Sequence, residues 1–293
     1  MPAASEIENR ENRFPAASPR NQQLLVTLFG LYGRQNAGSL PVAGLVRLLG
    51  DLGVEPAGVR SAVSRLKKRG VLESVKVGGA AAYRLGPGLE EVFHEGDERI
   101  FSPRRASIGD GWLLAAFSVP ESQRSLRHQI RSALTRLGFG AVTPGLWIAP
   151  AFLETEARTQ MTRAGAVEYV EFFRADYADG DSKEDMRKRV ASWWDLGALE
   201  SMYVEFVDSY REVLDRWEGL GQIPTEKEPE AFADYVSVLT QWRRLPYLDP
   251  GLPVEYLPED WHGILAQDLF TSLHGRLSGP ARRHAERALG GDS

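Results

Sequence analysis

The sequence predicts an α+β fold in more than one domain, and three observations carry that prediction. At ~150 residues per domain, 293 residues hold about two domains. Apolar residues recur at helical spacing between 20 and 66 and again after 179, while β-prone runs alternate with helical ones between 112 and 174. The apolar fraction of 43% with seven Trp and twelve Phe suits a chain that buries a core, not a disordered one.

Residues 1–19, MPAASEIENRENRFPAASP, hold no apolar run and read as a disordered tail without a secretory signal. Ser18 and Pro19 read as the N-cap and first position of a helix over about 20–34, in which Leu24, Leu25, Leu28, Leu31 and Tyr32 form the apolar stripe. Gly38 and Ser39 break the chain, and Val42, Leu45, Val46 and Leu49 predict a short second helix ending near Gly50–Gly53. Glu55-Pro56 opens a third helix that Gly70 ends. Val59, Ala62, Val63 and Leu66 face inward in it, and Arg60, Ser61, Ser64, Arg65 and Lys68 face outward. Two β-prone runs, 71–77 and 80–85, flank Gly78-Gly79 as a hairpin.

Three short helices followed by a hairpin is the order of a winged helix-turn-helix, whose third helix enters the major groove. Charge agrees with this order. Residues 20–88 hold ten Lys or Arg against three Asp or Glu, a balance of +7, whereas 89–293 hold 23 against 34, a balance of −11. A basic head on an acidic body points to a polyanion partner for the head. Arg60 and Arg65 can fork onto guanine edges, and Ser61 and Ser64 can serve bases or phosphates. Lys67, Lys68, Arg69 and Lys76 can meet phosphates, although Lys67-Lys68-Arg69 also suits the negative end of the helix dipole.

Residues 89–106 read as a linker with an acidic helix over Leu89–Glu98. From 107 to 178 the predicted order is βαββαβ: a strand from Trp112 to Val119, a helix over 121–137, strands near 139–143 and 146–149, a helix over 151–163, and a strand from Val167 to Arg174. That order is ferredoxin-like. Residues 179–293 read as a helical domain, with long candidates at Arg187–Arg216, Ala231–Leu245 and Pro258–Leu289. Asp179-Gly180-Asp181-Ser182-Lys183-Glu184 lacks the ligand pattern of a calcium loop, and Ser182 with Asp185 reads as a helix cap.

Cysteine is absent, which excludes disulfides, thiol nucleophiles and Cys-ligated metal sites and fits a cytoplasmic protein. The apolar window Leu24–Tyr32 is far short of the ~20 residues that span a bilayer, so no membrane partner is expected. The five His show no zinc-binding spacing, and no nucleophile elbow, Walker loop or dinucleotide turn occurs. No catalytic residue, metal or cofactor is expected. Two rival readings stay open: a non-catalytic interaction module, and a metal-independent enzyme on a ferredoxin-like scaffold.

The stretch VRSAVSRLKKRGVLESVKVGGAAAYRLGPG at 59–88 resembles the recognition helix and wing of PaaX-type transcriptional regulators of phenylacetate and related aromatic catabolism. Residues 112–150, with LLAAFSVPE and SLRHQIRSALTRLGFGAVTPGLWIAP, resemble that family's central domain, and WRRLPYLDPGLPVEYLPEDWHG at 242–263 resembles its C-terminal signature. The family wing is often richer in Arg where this chain has Gly79, Ala80, Ala81 and Ala82. The central domain also resembles the small CRISPR adaptation nucleases. Where they place a metal-binding acid, this chain has Phe117-Ser118-Val119.

The resemblance implies a repressor of double-stranded operator DNA that an aryl-acyl coenzyme A, such as phenylacetyl-CoA, releases. A thioester of that kind needs cations for its phosphates and an apolar cleft for its acyl group. Candidate cations are Arg124, Arg127, Arg131, Arg243 and Arg244, and candidate aromatics are Trp147, Trp193, Trp194, Tyr203 and Trp261. Arg243-Arg244 beside Trp242 and Tyr247 is the densest of these clusters. A homodimer is expected, because one recognition helix reads only ~3–4 base pairs.

Overall fold

The computed structural model describes residues 20–34, 38–177 and 182–290, so the readings on the tail 1–19 and on 179–181 lie outside the described residues. The chain is mixed α+β. It opens with α1 (Arg20–Leu28), continued by a π-helical turn over Phe29–Gly33, and then β1 (Ser39–Pro41), α2 (Val42–Asp51) and α3 (Pro56–Lys68). The hairpin β2 (Leu72–Val77) and β3 (Ala80–Leu85) leads to α4 (Leu89–Phe101). The middle segment is β4 (Trp112–Phe117), α5 (Arg124–Leu137), β5 (Gly140–Thr143), β6 (Leu146–Pro150), α6 (Glu154–Arg163) and β7 (Val170–Ala175). The remainder is helical: α7 (Lys183–Trp193), α8 (Leu196–Glu218), α9 (Glu228–Trp242), α10 (Leu245–Leu248) and α11 (His262–Gly290).

The chain forms two compact units, each discontinuous in sequence. One contains 102–204 and 244–263, and the other contains the described residues of 13–101, 205–243 and 264–293. The second unit thus joins the N-terminal segment to α9 and to nearly all of α11. Its centre is α1, on which Gln22, Leu24, Leu25, Val26, Thr27 and Leu28 are all buried. An amphipathic surface helix would bury one stripe only; α1 buries more because α3 and α9 both pack along it.

The small sheet of this unit runs β1-β3-β2, with Glu73 opposite Arg84 and Val77 opposite Ala80. Gly78 and Gly79 close the hairpin at φ +57° and +85°. Two successive positive φ values define the turn that matches strand twist, and glycine takes them without Cβ strain. β1 pairs with β3 from Ser39 to Pro41, where the sequence reads only as a break. Three residues ending in proline carry too little pattern to announce a strand.

In the other unit the four strands run β5-β6-β4-β7, every neighbouring pair antiparallel. Leu113, Ala115 and Phe117 of β4 face Ile130, Ala133, Leu134 and Leu137 of α5 and Ala157 and Met161 of α6, which is the alternation expected of a sheet covered on that face. On the opposite face Trp112 meets Trp193, Trp194 and Tyr256 at centroid distances of 6.2, 6.3 and 6.2 Å. Trp194 lies so close to Gly140 that a Cβ there would stand 2.7 Å from the indole.

The helix expected over 187–216 is two helices. Ser182 caps α7 by accepting from the Asp185 amide at 3.3 Å while its hydroxyl donates to the Asp185 carboxylate at 2.8 Å. Trp194 then turns extended, and the Asp195 carboxylate caps α8 by accepting from the Ala198 amide at 3.1 Å. The last helix starts at His262, four residues after Pro258, and carries Pro280 within it.

Candidate nucleic-acid interface

α3 begins at Pro56, whose missing N–H is no loss in a first turn, and ends with Arg65, Lys67 and Lys68 at its carbonyl end. Val59, Ala62, Val63 and Leu66 are buried, and Arg60, Ser61, Ser64, Arg65, Lys67 and Lys68 are exposed. Two guanidinium forks, two hydroxyls and two ammonium groups therefore project from one solvent-facing side of a short helix. Arg69 differs: it is half-buried, with its guanidinium 3.5 Å from Gln22 Oε1. Lys76 is exposed on β2. Lys67 Nζ stands 5.9 Å from the centroid of the Tyr83 ring. In the sequence Tyr83 is marked only by its place on a strand beside the basic helix end.

The cations and aromatics expected at an effector stand in different settings, some exposed and some buried. Arg124 and Arg131 are exposed on α5, while Arg127 donates to the Val119 carbonyl at 2.7 Å and pairs with Glu121 at 3.1 Å. Trp147 is part of the core between the sheet and its helices, and its indole N–H is buried without a hydrogen-bond partner among the described residues. Trp193 and Trp194 stand together over Trp112, with the Trp194 indole donating to the Gly138 carbonyl at 2.8 Å.

Arg243 and Arg244, adjacent in sequence, belong to different units. Arg243 donates to Thr27 Oγ1 at 3.2 Å and to the Gln23 carbonyl at 3.5 Å, so it holds the end of α9 against α1. Its neighbour Trp242 is core, 1% exposed and stacked on Phe270 at 4.7 Å. Arg244 Nε is buried without a partner among the described residues.

Tyr203 and Trp261 meet edge to face at 5.6 Å beside a carboxylate that ties the segment after α10 together. Asp249 accepts from the Tyr203 hydroxyl at 2.8 Å, from Arg105 at 2.8 Å and from the Gly251 amide at 2.7 Å, and Arg105 donates again to the Leu252 carbonyl at 2.9 Å. Burial, and then the Asp249 charge, push the Tyr203 phenol well above its ordinary value, so it remains the donor. The Trp261 indole N–H is buried and has no partner among the described residues. Among the described residues no helix is long and apolar enough to cross a membrane.

Three family models match the chain in order: "PaaX-like protein" over 20–87, "PaaX protein central Cas2-like domain" over 105–187 and "PaaX-like protein C-terminal domain" over 194–287. The chain is 27% identical over 273 residues to the transcriptional repressor PaaX of Escherichia coli strain K12, covering 93% of this chain and 84% of that protein. Its fold is similar to that of the solved uncharacterized protein Rv0674 from Mycobacterium tuberculosis, with a TM-score of 0.54 at 19% identity over 90% of this chain and 98% of that one. Three ordered matches that together span the head, the sheet and the helical remainder are more than a shared DNA-binding motif would give, and the chain belongs to the PaaX family.

Proposed function

We propose that this protein is a sequence-specific DNA-binding transcriptional repressor of an aromatic-acid catabolic operon of the phenylacetate type, acting by binding and not by catalysis. The observation that carries the reading is the exposed side of α3, where Arg60, Ser61, Ser64 and Arg65 stand opposite the buried stripe of the same helix. Residues 20–88 act as a winged helix-turn-helix, with α3 in the major groove and β2–β3 as the wing. Arg60 and Arg65 read base edges; Lys67, Lys68, Arg69 and Lys76 meet the backbone. The strand order β5-β6-β4-β7 with its two helices supports a ferredoxin-like reading of 107–178.

The protein works in the cytoplasm as a homodimer, since two recognition helices on half-sites about one turn apart multiply a ~3–4 base-pair readout. An aryl-acyl-CoA such as phenylacetyl-CoA releases it from the operator. Footprinting of the folded protein on the DNA upstream of its own gene tests the reading, with protection of a two-fold pair of half-sites as the expected result. Equal affinity for that DNA and for random duplex at moderate salt would remove sequence specificity from the proposal.

A further inference from the structure

The proposed recognition helix and the hairpin after it are joined at two places. At the base, a Cβ on Gly86 would stand 2.2 Å from the Gly70 carbonyl oxygen, so only glycine allows the end of β3 to pass the end of α3 this closely. The Val71 amide donates to the Leu66 carbonyl at 2.9 Å, and the Gly86 amide to the Val71 carbonyl at 2.9 Å. The hairpin is thereby fixed to the last turn of α3. Further out, Lys67 Nζ stands over the ring of Tyr83 at 5.9 Å.

Tyr83 sits on the central strand, opposite Ser74 of β2 and Leu40 of β1. Side chains alternate along a strand, so Leu72, Ser74 and Lys76, with Leu85, Tyr83 and Ala81 opposite them, share the face on which Tyr83 meets Lys67. The other face carries Glu73 and Arg84, which pair at 2.9 Å and cancel one another. The face toward Lys67 therefore adds exposed Lys76, two residues or ~7 Å along the strand from the Tyr83 register.

We propose that Tyr83 is a positioning residue of the DNA interface, its ring holding the Lys67 ammonium so that Lys67 and Lys76 meet the phosphate backbone as one rigid pair. The assignment rests on the DNA-binding reading above. The negative face of the ring attracts the ammonium while leaving its N–H groups free to turn toward phosphate oxygens. A lysine at the end of a helix otherwise samples many rotamers, and a preset one binds with less ordering. The contact also makes the hairpin angle and the Lys67 position a single variable, set at the base by Gly86 and further out by Tyr83.

The test is salt-dependent binding of the full chain to a random-sequence DNA duplex, followed by fluorescence anisotropy. Lys67→Ala lowers the log–log salt slope by about 0.9, the loss of one phosphate contact. Tyr83→Leu weakens binding about three-fold and lowers the slope in the same sense, and Tyr83→Phe, which keeps the ring face, restores both. The Lys67→Ala, Tyr83→Leu double variant binds no more weakly than Lys67→Ala alone. A folded Tyr83→Leu protein with the parental affinity and slope overturns the assignment, as do losses that simply add in the double variant. Should Tyr83→Leu fail to fold, the parent and Tyr83→Phe decide by NMR: ring-current displacement of the Lys67 side-chain methylenes in both supports the contact, and its absence in both overturns it. A folded parent that fails to bind duplex at low salt brings down the DNA-binding reading itself, whereas parental binding with an inert Tyr83 removes the positioning role only.

Discussion

Thr27 and Thr240, 213 residues apart in sequence, share a buried hydrogen bond of 2.8 Å. Thr27 lies on α1 and Thr240 near the end of α9, so the bond unites two segments distant in sequence in one core. His284 on α11 makes a similar tie with Asp51 at the end of α2, Nε2 to Oδ2 at 2.8 Å. A fragment of 20–101 lacks both helices and leaves the α9 side of α1 bare. It is expected to give a poorly dispersed NMR spectrum, where the full chain is folded. In the full chain, Thr240→Val should cost about 1 kcal/mol in urea unfolding, the net worth of one buried hydrogen bond. A fragment as stable as the full chain would show that α9 and α11 are dispensable to the head.

Arg65 and Lys68 stand on the same exposed side of α3 but differ in chemistry. A guanidinium fork can grip guanine O6 and N7, while an ammonium meets phosphate as a point charge. Arg65→Ala should therefore cost ~1–3 kcal/mol on the operator and relax base preference. Lys68→Ala should weaken operator and random DNA alike and flatten the salt dependence. Parallel losses on both DNAs for Arg65→Ala would move Arg65 to the backbone-contact set.

Much of this arrangement is legible in the sequence, because it is written in local pattern. The spacing of Val59, Ala62, Val63 and Leu66 sets which side of α3 is exposed, and Gly78-Gly79 sets the hairpin turn. The discontinuity of the units is not legible in the same way, because the Thr27–Thr240 bond and the Asp51–His284 pair join residues with no local relation. The break at Trp194 and Asp195 is hidden for a different reason: Trp194 leaves the helical register to bond the Gly138 carbonyl, a tertiary demand that overrides propensity. Residue type alone does not separate a Trp buried in a core, such as Trp147, from a ligand-lining aromatic.

One half-buried group, His274, and one buried group, Glu228, give stability a common pH direction. His274 sits under Phe101 and Phe270 with its Nδ1 2.9 Å from the Tyr235 hydroxyl, and burial lowers its pKa from the ordinary 6.5. The unfolded chain takes up that proton first, so the contribution is complete above about 6.5 and is lost as pH falls below it. Glu228 follows the same sign. Burial alone would raise its pKa, but hydrogen bonds from Arg287 and Arg283 outweigh burial and hold it below the ordinary 4.5, so its contribution is lost in the acid limb beneath that value. Urea midpoints should hold steady at neutral pH, fall gently just below 6.5 and fall steeply in the carboxylate range. His274→Gln should flatten the first limb and leave the second. A parental midpoint that rises on acidification through this range would contradict both signs.

The effector reading makes separate predictions for Arg243 and Arg244, which sequence alone treats as one cluster. Arg243 binds Thr27 and the Gln23 carbonyl inside the unit that carries α3, so its removal loosens α1 whether or not a ligand is present. Arg244 belongs to the unit of Asp249, Tyr203 and Trp261, and its buried Nε lacks a partner among the described residues, as does the Trp261 indole N–H. A buried donor without an acceptor is costly, and a ligand oxygen would relieve that cost. With phenylacetyl-CoA as probe, the parent should gain thermal stability and lose operator affinity 5- to 150-fold, the usual span of coupling between two sites. Arg243→Ala should lower the starting melting temperature yet keep the ligand-induced rise. Arg244→Ala should abolish the rise and the release from operator together, with little change in DNA binding when no thioester is added. If Arg244→Ala responds to phenylacetyl-CoA as the parent does, the thioester binds without Arg244.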